Sequence, residues 1–269
     1  MALFAPSQSP AVTVKEVDLT GVVPNVQTST GAFVGNFNWG PVAEPTLISD
    51  EAGLVSSFAA PSTTNTIDFH SAAFFLKYSS QLFVTRECDS DAKNALAVNN
   101  QTGTNAAATN QKLGNLDNFE AATIDSSDGA FIARYPGVLG NSLLISICGS
   151  DSDNGGSTNF NAWTYGGSFD AAPGTSSYVS GLGGKNDEIH IAVVDEDGEI
   201  SGTAGTILET YPFLSVASNA KATDGTSNYY KDVLKARSEY VYCGDFHRND
   251  SASLRDFSGS LWSTDAVNG

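Results

Sequence analysis

The chain has 269 residues, of which 41% are hydrophobic, enough for one large or two modest domains with an apolar core. It carries 13 Lys and Arg against 30 Asp and Glu, a formal net charge of −17. Phosphate backbones and anionic membrane surfaces repel such a chain, so we expect neither direct nucleic-acid binding nor membrane insertion. No apolar run approaches the roughly 18 residues that a membrane-spanning helix needs.

The cysteines are three in number and far apart: Cys88, Cys148 and Cys243. Cys148 and Cys243 lie in apolar, strand-like runs, where buried free thiols are common. No disulfide framework is indicated, and residues 1–9 show no secretion leader. These features favour a reducing compartment.

The first twenty residues predict an extended N-terminal arm. Pro6 and Pro10 exclude a helix there, and residues 11–17 alternate as a strand does. The apolar residues of this strand are Val12, Val14 and Val17. It can pair with the sheet edge of another chain or within its own domain, and the sequence leaves both open.

Residues 31–48 predict two strands joined by a turn. The run 31–38 is typical of a buried strand, and the Trp-Gly-Pro sequence at 39–41 has turn chemistry. A short second strand is predicted for 45–48. The apolar residues assigned to the first strand are Ala32, Val34 and Phe37.

Two helices and a third strand follow. The first helix, 51–58, opens with acidic residues, as helix N-termini prefer. The second, 67–79, has apolar residues at helical spacing and is the clearest amphipathic helix in the chain. The strand 81–86 completes a β-turn-α-β unit. The apolar positions of the second helix are Phe69, Ala72, Ala73 and Leu76.

Residues 89–128 are polar and weakly periodic, and they predict a long surface insertion with a short helical piece at 118–122. Order returns at 130–134, and the Tyr-Pro-Gly turn at 135–137 feeds a strand at 142–148. A second polar loop is predicted for 149–184.

The last third predicts mostly strands. A strand at 188–194 runs into a hairpin turn at 195–198, and a return strand starts at Glu199 and Ile200. Further segments are a short strand at 207–214, interrupted at Pro212, a helix at 228–237 and a strand at 240–243. The fold class is therefore α+β: a mixed β-sheet with a few packed helices, long polar insertions and an extended N-terminal arm.

The sequence gives no case for an enzyme. His70, His190 and His247 have no neighbouring ligand at metal-binding spacing, and a packed or surface role is expected for His190. The acidic run 151–156 starts like a calcium loop, but Ala162 stands where a bidentate Glu is required. The Gly-rich run at 181–185 lacks the spacing of a phosphate loop. We therefore predict no catalytic residue, no metal ligand and no cofactor.

Several runs occur in a fixed order along the chain. They are TGAFVGNFNWGP at 30–41, DEAGLVSSF at 50–58, SAAFFLKY at 71–78, LFVTR at 82–86, ARYPGVLGN at 133–141, SEYV at 238–241 and FSG at 257–259. Taken together they resemble contractile-tail sheath proteins of T-even-type bacteriophages, collinearly over about residues 10–260. The positions that carry this resemblance are predicted to have structural roles: Gly31, Gly35, Phe37, Trp39, Gly40, Pro41, Phe58, Tyr135, Pro136, Gly137 and Gly140.

The resemblance implies a virion protein, assembled in the host bacterial cytoplasm, that polymerises as a helical homo-oligomer of sixfold rings around the tail tube. Contraction would drive the tube through the host envelope. The implied partners are further copies of itself, the tail tube protein, and baseplate and tail terminator proteins. T-even-type sheaths carry a sizeable protruding domain where this chain has only about forty polar residues.

The resemblance also implies a division of the chain. An arm at 1–20 precedes a core sheath domain in two halves, 21–88 and 129–262, separated by the insertion 89–128. Residues 263–269 would begin a linker to a C-terminal domain that family members have and this chain lacks.

A surface-exposed glycan-binding or decoration module of a virion is the alternative. Its support is the two polar loops, 89–128 and 149–184, which offer aromatic side chains that could stack on sugars. The same side chains can equally anchor the loops. They are Trp163, Tyr165 and Phe169. The sequence gives little support for a third option, an acidic hydrolase.

Overall fold

A computed structural model describes residues 30–97, 111–124, 129–150, 157–244 and 258–262. The predicted arm strand with Val12, Val14 and Val17, the acidic run 151–156 and His247 lie outside the described residues. The strands are β1 Thr30–Asn36, β2 Thr46–Ile48, β3 Gln81–Glu87, β4 Leu96–Ala97, β5 Phe131–Ala133, β6 Leu143–Gly149, β7 Glu188–Asp195, β8 Thr206–Ser215, β9 Val241–Cys243 and β10 Ser258–Trp262. The α-helices are α1 Glu51–Phe58, α2 Thr66–Leu76, α3 Leu116–Ala121, α4 Ser157–Ala162, α5 Ser177–Gly181 and α6 Tyr230–Arg237. Short 3₁₀ helices occupy Val138–Ser142 and Gly166–Ser168.

A three-stranded sheet of order β1-β3-β2 lies at the start of the described chain. β1 and β3 are parallel, and β2 pairs with β3 in the antiparallel direction. Helices α1 and α2 cover one face of this sheet. Asp50 starts α1 by accepting a hydrogen bond from the Gly53 amide at 2.7 Å, the usual N-cap arrangement. The side chains buried between these layers are Phe37, Ile48, Leu54, Phe58, Phe69, Ala72, Ala73, Leu82 and Val84.

β1 is not the fully buried strand that the sequence predicts. It ends at Asn36, so Phe37 lies outside the strand. The burial of Phe37 therefore does not indicate which residues of the strand face the core. Phe33 and Gly35 point towards the helices, whereas Ala32 and Val34 lie on the opposite, exposed face. Because strand side chains alternate between faces, only one of the two sets can be covered by the single helix layer.

A seven-stranded sheet of order β8-β7-β6-β10-β4-β5-β9 forms the larger part of the described chain, and each of its pairings is antiparallel. Its central strands β6 and β7 are almost wholly buried. Helix α6 packs against it through Tyr230, Val233 and Leu234. Together with the smaller sheet, this confirms the α+β class.

The return strand predicted at Glu199 and Ile200 is wrong, because β8 begins only at Thr206. The buried Asp195 carboxylate accepts hydrogen bonds from the amides of Gly198 at 3.1 Å, Ile200 at 3.1 Å and Ser201 at 2.7 Å. A carboxylate that accepts hydrogen bonds from several backbone amides stabilises a longer loop instead of a tight hairpin turn.

The described parts of the predicted insertion 89–128 are only in part a surface segment. Most of 111–124 is exposed or half-buried and contains α3, close to the helical piece predicted at 118–122, whereas most of 92–97 is buried. β4 lies between β10 and β5 inside the large sheet, and the side chain of Asn94 is fully buried. Its amide donates to the carbonyls of Leu113 at 3.0 Å and Ala133 at 2.8 Å. Small side chains give no clear periodicity, which explains why this packing is hard to see in the sequence. The buried ones are Ala92, Ala95 and Ala97.

Two further boundaries differ from expectation. Helix α2 ends at Leu76, three residues before the predicted Ser79, and Tyr78 in the following turn is 92% exposed. The predicted polar loop 149–184 contains α4 and α5 and packs on the large sheet through its aromatic rings.

Candidate functional site at the junction of the two sheets

Several of the residues that carry the sequence resemblance lie around a buried arginine between the two sheets. Arg86, near the end of β3, is fully buried. Its guanidinium donates from Nε to the carbonyl of Phe37 at 2.7 Å, and from Nη1 to that of Gly40 at 3.1 Å. Its Nη2 donates to the carbonyls of Pro136 at 2.8 Å and Asn38 at 3.4 Å. One side chain thus joins the 37–40 loop of the small sheet to the 135–137 turn of the large sheet.

The Arg86 guanidinium donates to backbone carbonyls rather than to carboxylates. Burial lowers the pKa of Arg86 to about 10, partly offset by Cys88 and Tyr135, and the guanidinium stays charged at neutral pH. Its fork of N–H groups can satisfy several carbonyls at fixed angles, which a lysine cannot do. We infer that the arginine has a structural role, since its donors are used in holding the backbone.

Aromatic rings surround the same junction. Trp39 is 4% exposed and lies edge-on to Tyr135, with ring centroids 5.3 Å apart. Its centroid is 6.0 Å from that of Tyr240, which precedes β9. On the other side of the loop, the rings of Phe37 and Phe58 are 4.9 Å apart. The tryptophan therefore anchors the small sheet on the large one.

Two glycines of the set have backbone conformations that other residues rarely adopt. Gly40 has φ +102°, and a Cβ there would lie 2.7 Å from the carbonyl oxygen of Ser57. Gly137 has φ +127°, and a Cβ there would lie 3.1 Å from Nη2 of Arg86. Both positions need glycine on conformational and steric grounds.

The rest of the predicted set lies around this junction and in the small sheet. Gly31 packs under the Phe75 ring, Gly35 against Asp68, and Gly140 against Ala133. Pro41 is half-buried and, with Trp39, lines a cavity of about 440 Å³.

The sequence patterns do not single out Arg86 and Asn94, the two buried polar side chains that hold distant backbone segments together. A signal for Arg86 was present, because residues 82, 84 and 86 share one face of a strand and the first two are apolar. A charged residue in phase with a buried face needs partners, and carbonyls of turns are natural ones. Asn94 had no such signal, since it lies in a weakly periodic segment.

A second concave region lies where the two ends of the large sheet approach each other. Glu209 in β8 accepts from Ser238 Oγ at 2.7 Å, from the Glu239 amide at 2.7 Å and from the Tyr211 hydroxyl at 3.0 Å. The adjoining cavity has a volume of about 600 Å³. Because the carboxylate is occupied in joining β8 to the segment before β9, this geometry indicates sheet closure rather than catalysis.

The aromatic side chains proposed for glycan stacking pack mainly against each other. Trp163 Nε1 donates to Ser146 Oγ at 2.8 Å, and its ring centroid is 5.1 Å from that of Phe169. Phe169 stacks on the buried His190 at 4.6 Å with an interplanar angle of 7°. Anchoring of the loop is therefore the arrangement that the structure supports.

His190 is a packed residue, as the sequence predicts. The Phe213 amide donates to its Nδ1 at 3.0 Å, so its Nε2 carries the proton and faces the Ala171 carbonyl at 2.8 Å. Burial lowers the pKa of this imidazole, which favours the neutral form. Within the described residues, no group of three or more His, Cys, Asp or Glu could hold a metal ion. No helix among the same residues is long and apolar enough to cross a bilayer.

Comparison with known proteins gives a consistent answer. The chain is 32% identical over 234 residues to the tail sheath protein of Salmonella phage ViI, a match that covers 87% of this chain and 33% of that protein. It is 34% identical over 103 residues to the tail sheath protein of Vibrio phage KVP40 and 36% identical over 91 residues to that of Enterobacteria phage T4. The matches to the KVP40 and T4 proteins cover 38% and 34% of this chain, and 15% and 14% of those proteins.

The chain thus spans a third or less of the curated relatives it matches. No family model matches it. Among solved structures, a sheath tail protein from Listeria innocua aligns with a TM-score of 0.42 and 13% identity, over 87% of this chain and 33% of that one. The resemblance predicted from the ordered motifs is confirmed by the sequence relatives.

Proposed function

This chain is a relative of the bacteriophage tail sheath proteins, and on that premise we propose that it is a subunit of a contractile tail sheath. The subunit polymerises helically, in sixfold rings, around the tail tube. The observation that carries the proposal is the 32% identity to a tail sheath protein over 87% of this chain. A structural role rather than an enzymatic one follows from the same relationship.

The Arg86 junction supports this role. A sheath subunit transmits force between its neighbours, so its parts must move together. Arg86 and Trp39 join the small sheet to the large one through hydrogen bonds and ring contacts, and their atoms are removed from solvent. The motif residues are, on this view, conformational and packing elements of one rigid body.

Contraction then needs no chemistry within the subunit. Energy would be held in a metastable lattice and released as subunits exchange contacts, without nucleotide hydrolysis. The proposed partners are further copies of the chain, the tail tube protein, and baseplate and tail terminator proteins. The site of action is the virion tail, after assembly in the host cytoplasm.

The strand that the sequence predicts at residues 11–17 is proposed as an inter-subunit element, with Val12, Val14 and Val17 as its apolar contacts. Strand addition to a neighbour's sheet edge is a common means of linking copies. The test is ultracentrifugal sedimentation of the complete natural gene product with and without residues 1–20. The wild type should pellet as polymer, and the deletion should stay in the supernatant with unchanged circular dichroism. If the deletion pellets as the wild type does, the arm proposal fails.

Glycan binding remains the second candidate, because Trp163, Tyr165 and Phe169 are only partly buried. A glycan array separates the two functions. Retention of a defined sugar, lost in Tyr165→Ala, would favour the module, whereas polymer without sugar binding would favour the sheath.

A further inference from the structure

Helix α2 carries apolar side chains on two opposite sides. One side carries Phe69, Ala72 and Ala73, which are buried against the small sheet. The other side carries Ile67 and Phe74, which are 81% and 58% exposed. Since each residue turns the helix by roughly 100°, these two sets lie about 180° apart. His70 and Ser71 are also exposed on this side, so it is a mixed face that presents two large apolar side chains to solvent.

The exposed side of α2 continues into the turn that follows it. Tyr78 is 92% exposed there, and the Lys77 ammonium lies 4.9 Å from the centre of the Phe74 ring. We call this set, Ile67, Phe74, Lys77 and Tyr78, the helix surface. Its apolar side chains share the surface with one positive charge and with the exposed His70 and Ser71, and the His70 ring lies 6.2 Å from that of Phe74.

The small sheet has an uncovered face of its own. Ala32 of β1 and Leu47 of β2 are both register partners of Phe83 in β3, so the three form a row across the sheet. Leu47 is 56% exposed and Phe83 40%, and Val34 beside them is 59% exposed. Glu87 is exposed on the same side of β3. We call this set, Ala32, Val34, Leu47, Phe83 and Glu87, the sheet surface.

These two surfaces are on opposite sides of one two-layer unit, because α2 covers the face of the sheet that points away from Phe83. A contact between two identical patches would bury only one surface and stop at a dimer. A contact between the helix surface of one copy and the sheet surface of the next buries both and can continue from copy to copy, as a ring or as a helical filament. Exposed apolar patches of this kind mark interaction sites in soluble proteins.

We propose that the helix surface of one copy of this chain docks on the sheet surface of the next. The occupant of each surface is therefore a second copy of this chain, which rests on the proposed function as a polymerising subunit. Charge favours this pairing, since the helix surface carries Lys77 and the sheet surface carries the exposed Glu87. In a chain with net charge −17, a lysine placed on an apolar patch offsets repulsion between copies.

A mixing experiment tests the proposal. Tyr78→Asp damages only the helix surface and Leu47→Asp only the sheet surface, and both sites are exposed, so neither change disturbs the core. Each variant alone should self-associate at least about tenfold more weakly than the wild type, because the contact would bury an unpaired carboxylate. An equimolar mixture retains one intact pair of surfaces and should form a one-to-one dimer that grows no further. Sedimentation velocity measures both results.

Leu182→Asp is the matched control, since Leu182 is 69% exposed but lies outside both surfaces. It should associate as the wild type does. The proposal is overturned if either variant alone associates normally, if the mixture gives no dimer, or if the wild type is monomeric up to about 1 mM. A charge exchange adds a second reading: Lys77→Glu and Glu87→Lys should each weaken association and restore it when mixed.

Failure of this contact can be told apart from failure of the sheath function. If the complete natural product with both Tyr78→Asp and Leu47→Asp still forms tubes, the function stands and the contact is wrong. If the unmodified complete product forms no tubes, the function itself is wrong.

Discussion

Arg86 Nη2 donates a hydrogen bond of 2.8 Å to the carbonyl oxygen of Pro136, fifty residues further along the chain. The same guanidinium holds the carbonyls of Phe37 and Gly40. Two sequence runs that look independent, one ending in Trp-Gly-Pro and one containing Tyr-Pro-Gly, are thus parts of one junction. The tight turns in both runs bring several backbone carbonyls close together, where one guanidinium can donate to them.

Replacing Arg86 with methionine should lower the free energy of unfolding by about 3 kcal/mol, because buried carbonyls would lose their donors. Arg86→Lys should lower the free energy of unfolding by less, since one ammonium can keep some of the hydrogen bonds. Urea denaturation followed by fluorescence measures the change. Arg237→Met is the control, because Arg237 is exposed and its loss should change stability by less than about 0.5 kcal/mol. Equal stability of Arg86→Met and the wild type would contradict a structural role for this side chain.

Gly40→Ala should destabilise the chain by more than about 1 kcal/mol, because its positive φ and its contact with the Ser57 carbonyl both disfavour a Cβ. Gly167→Ala is a matched control, since a Cβ at Gly167 would meet no atom within 4 Å. Thermal unfolding of the two variants should show a lower midpoint for Gly40→Ala alone. A similar shift in both would show that the junction does not depend on this turn.

Asp195 should make stability depend on pH in the acid range. Burial alone raises the pKa of this carboxyl, but hydrogen bonds from Ser142, Ser201 and Ile200 outweigh burial and lower it below its usual range. Its folded pKa is therefore below its unfolded value of about 3.9, so its contribution is present above that pH and is lost as pH falls further.

Urea midpoints measured between about pH 5 and pH 2 should fall less steeply in Asp195→Asn than in the wild type. Ser142→Ala removes one donor to the carboxylate and should give an intermediate slope. If the urea midpoint of Asp195→Asn falls with pH as steeply as that of the wild type, this carboxylate does not control the acid transition.

The three cysteine thiols should differ in reactivity. Cys148 and Cys243 are buried and Cys88 is half-buried, which confirms the prediction of buried thiols in the apolar strands. Burial raises the pKa of the Cys243 thiol, so little reactive thiolate forms there. Ellman titration of the native chain should modify Cys88 first and reach all three only in denaturant. Rapid modification of the Cys243 thiol under native conditions would contradict its burial in β9.

Much of the fold follows from local patterns in the sequence. Helix α1 and the buried face of α6 are where spacing and capping place them, because a single core-facing stripe determines each. The sequence predicts a surface loop for the β4 region, since buried alanine side chains give no periodic pattern. It predicts a hairpin turn after β7, because only the structure shows how many backbone amides donate to Asp195.

The candidate site was predictable only in part. The relatives confirm the family resemblance that the ordered runs indicate, and several residues of those runs lie at the junction. Arg86 joins them, and the backbone carbonyls of Phe37 and Pro136 that accept its hydrogen bonds lie about fifty residues away on either side. Long-range contacts of this kind carry little local signature.

The most direct test of the account is negative-stain electron microscopy of the complete natural gene product, imaged beside the 269-residue chain. The account predicts long hollow tubes with sixfold end views from the complete product. Dispersed monomers of that product, under conditions where circular dichroism shows it folded, would contradict the proposal that this chain is part of a contractile tail sheath.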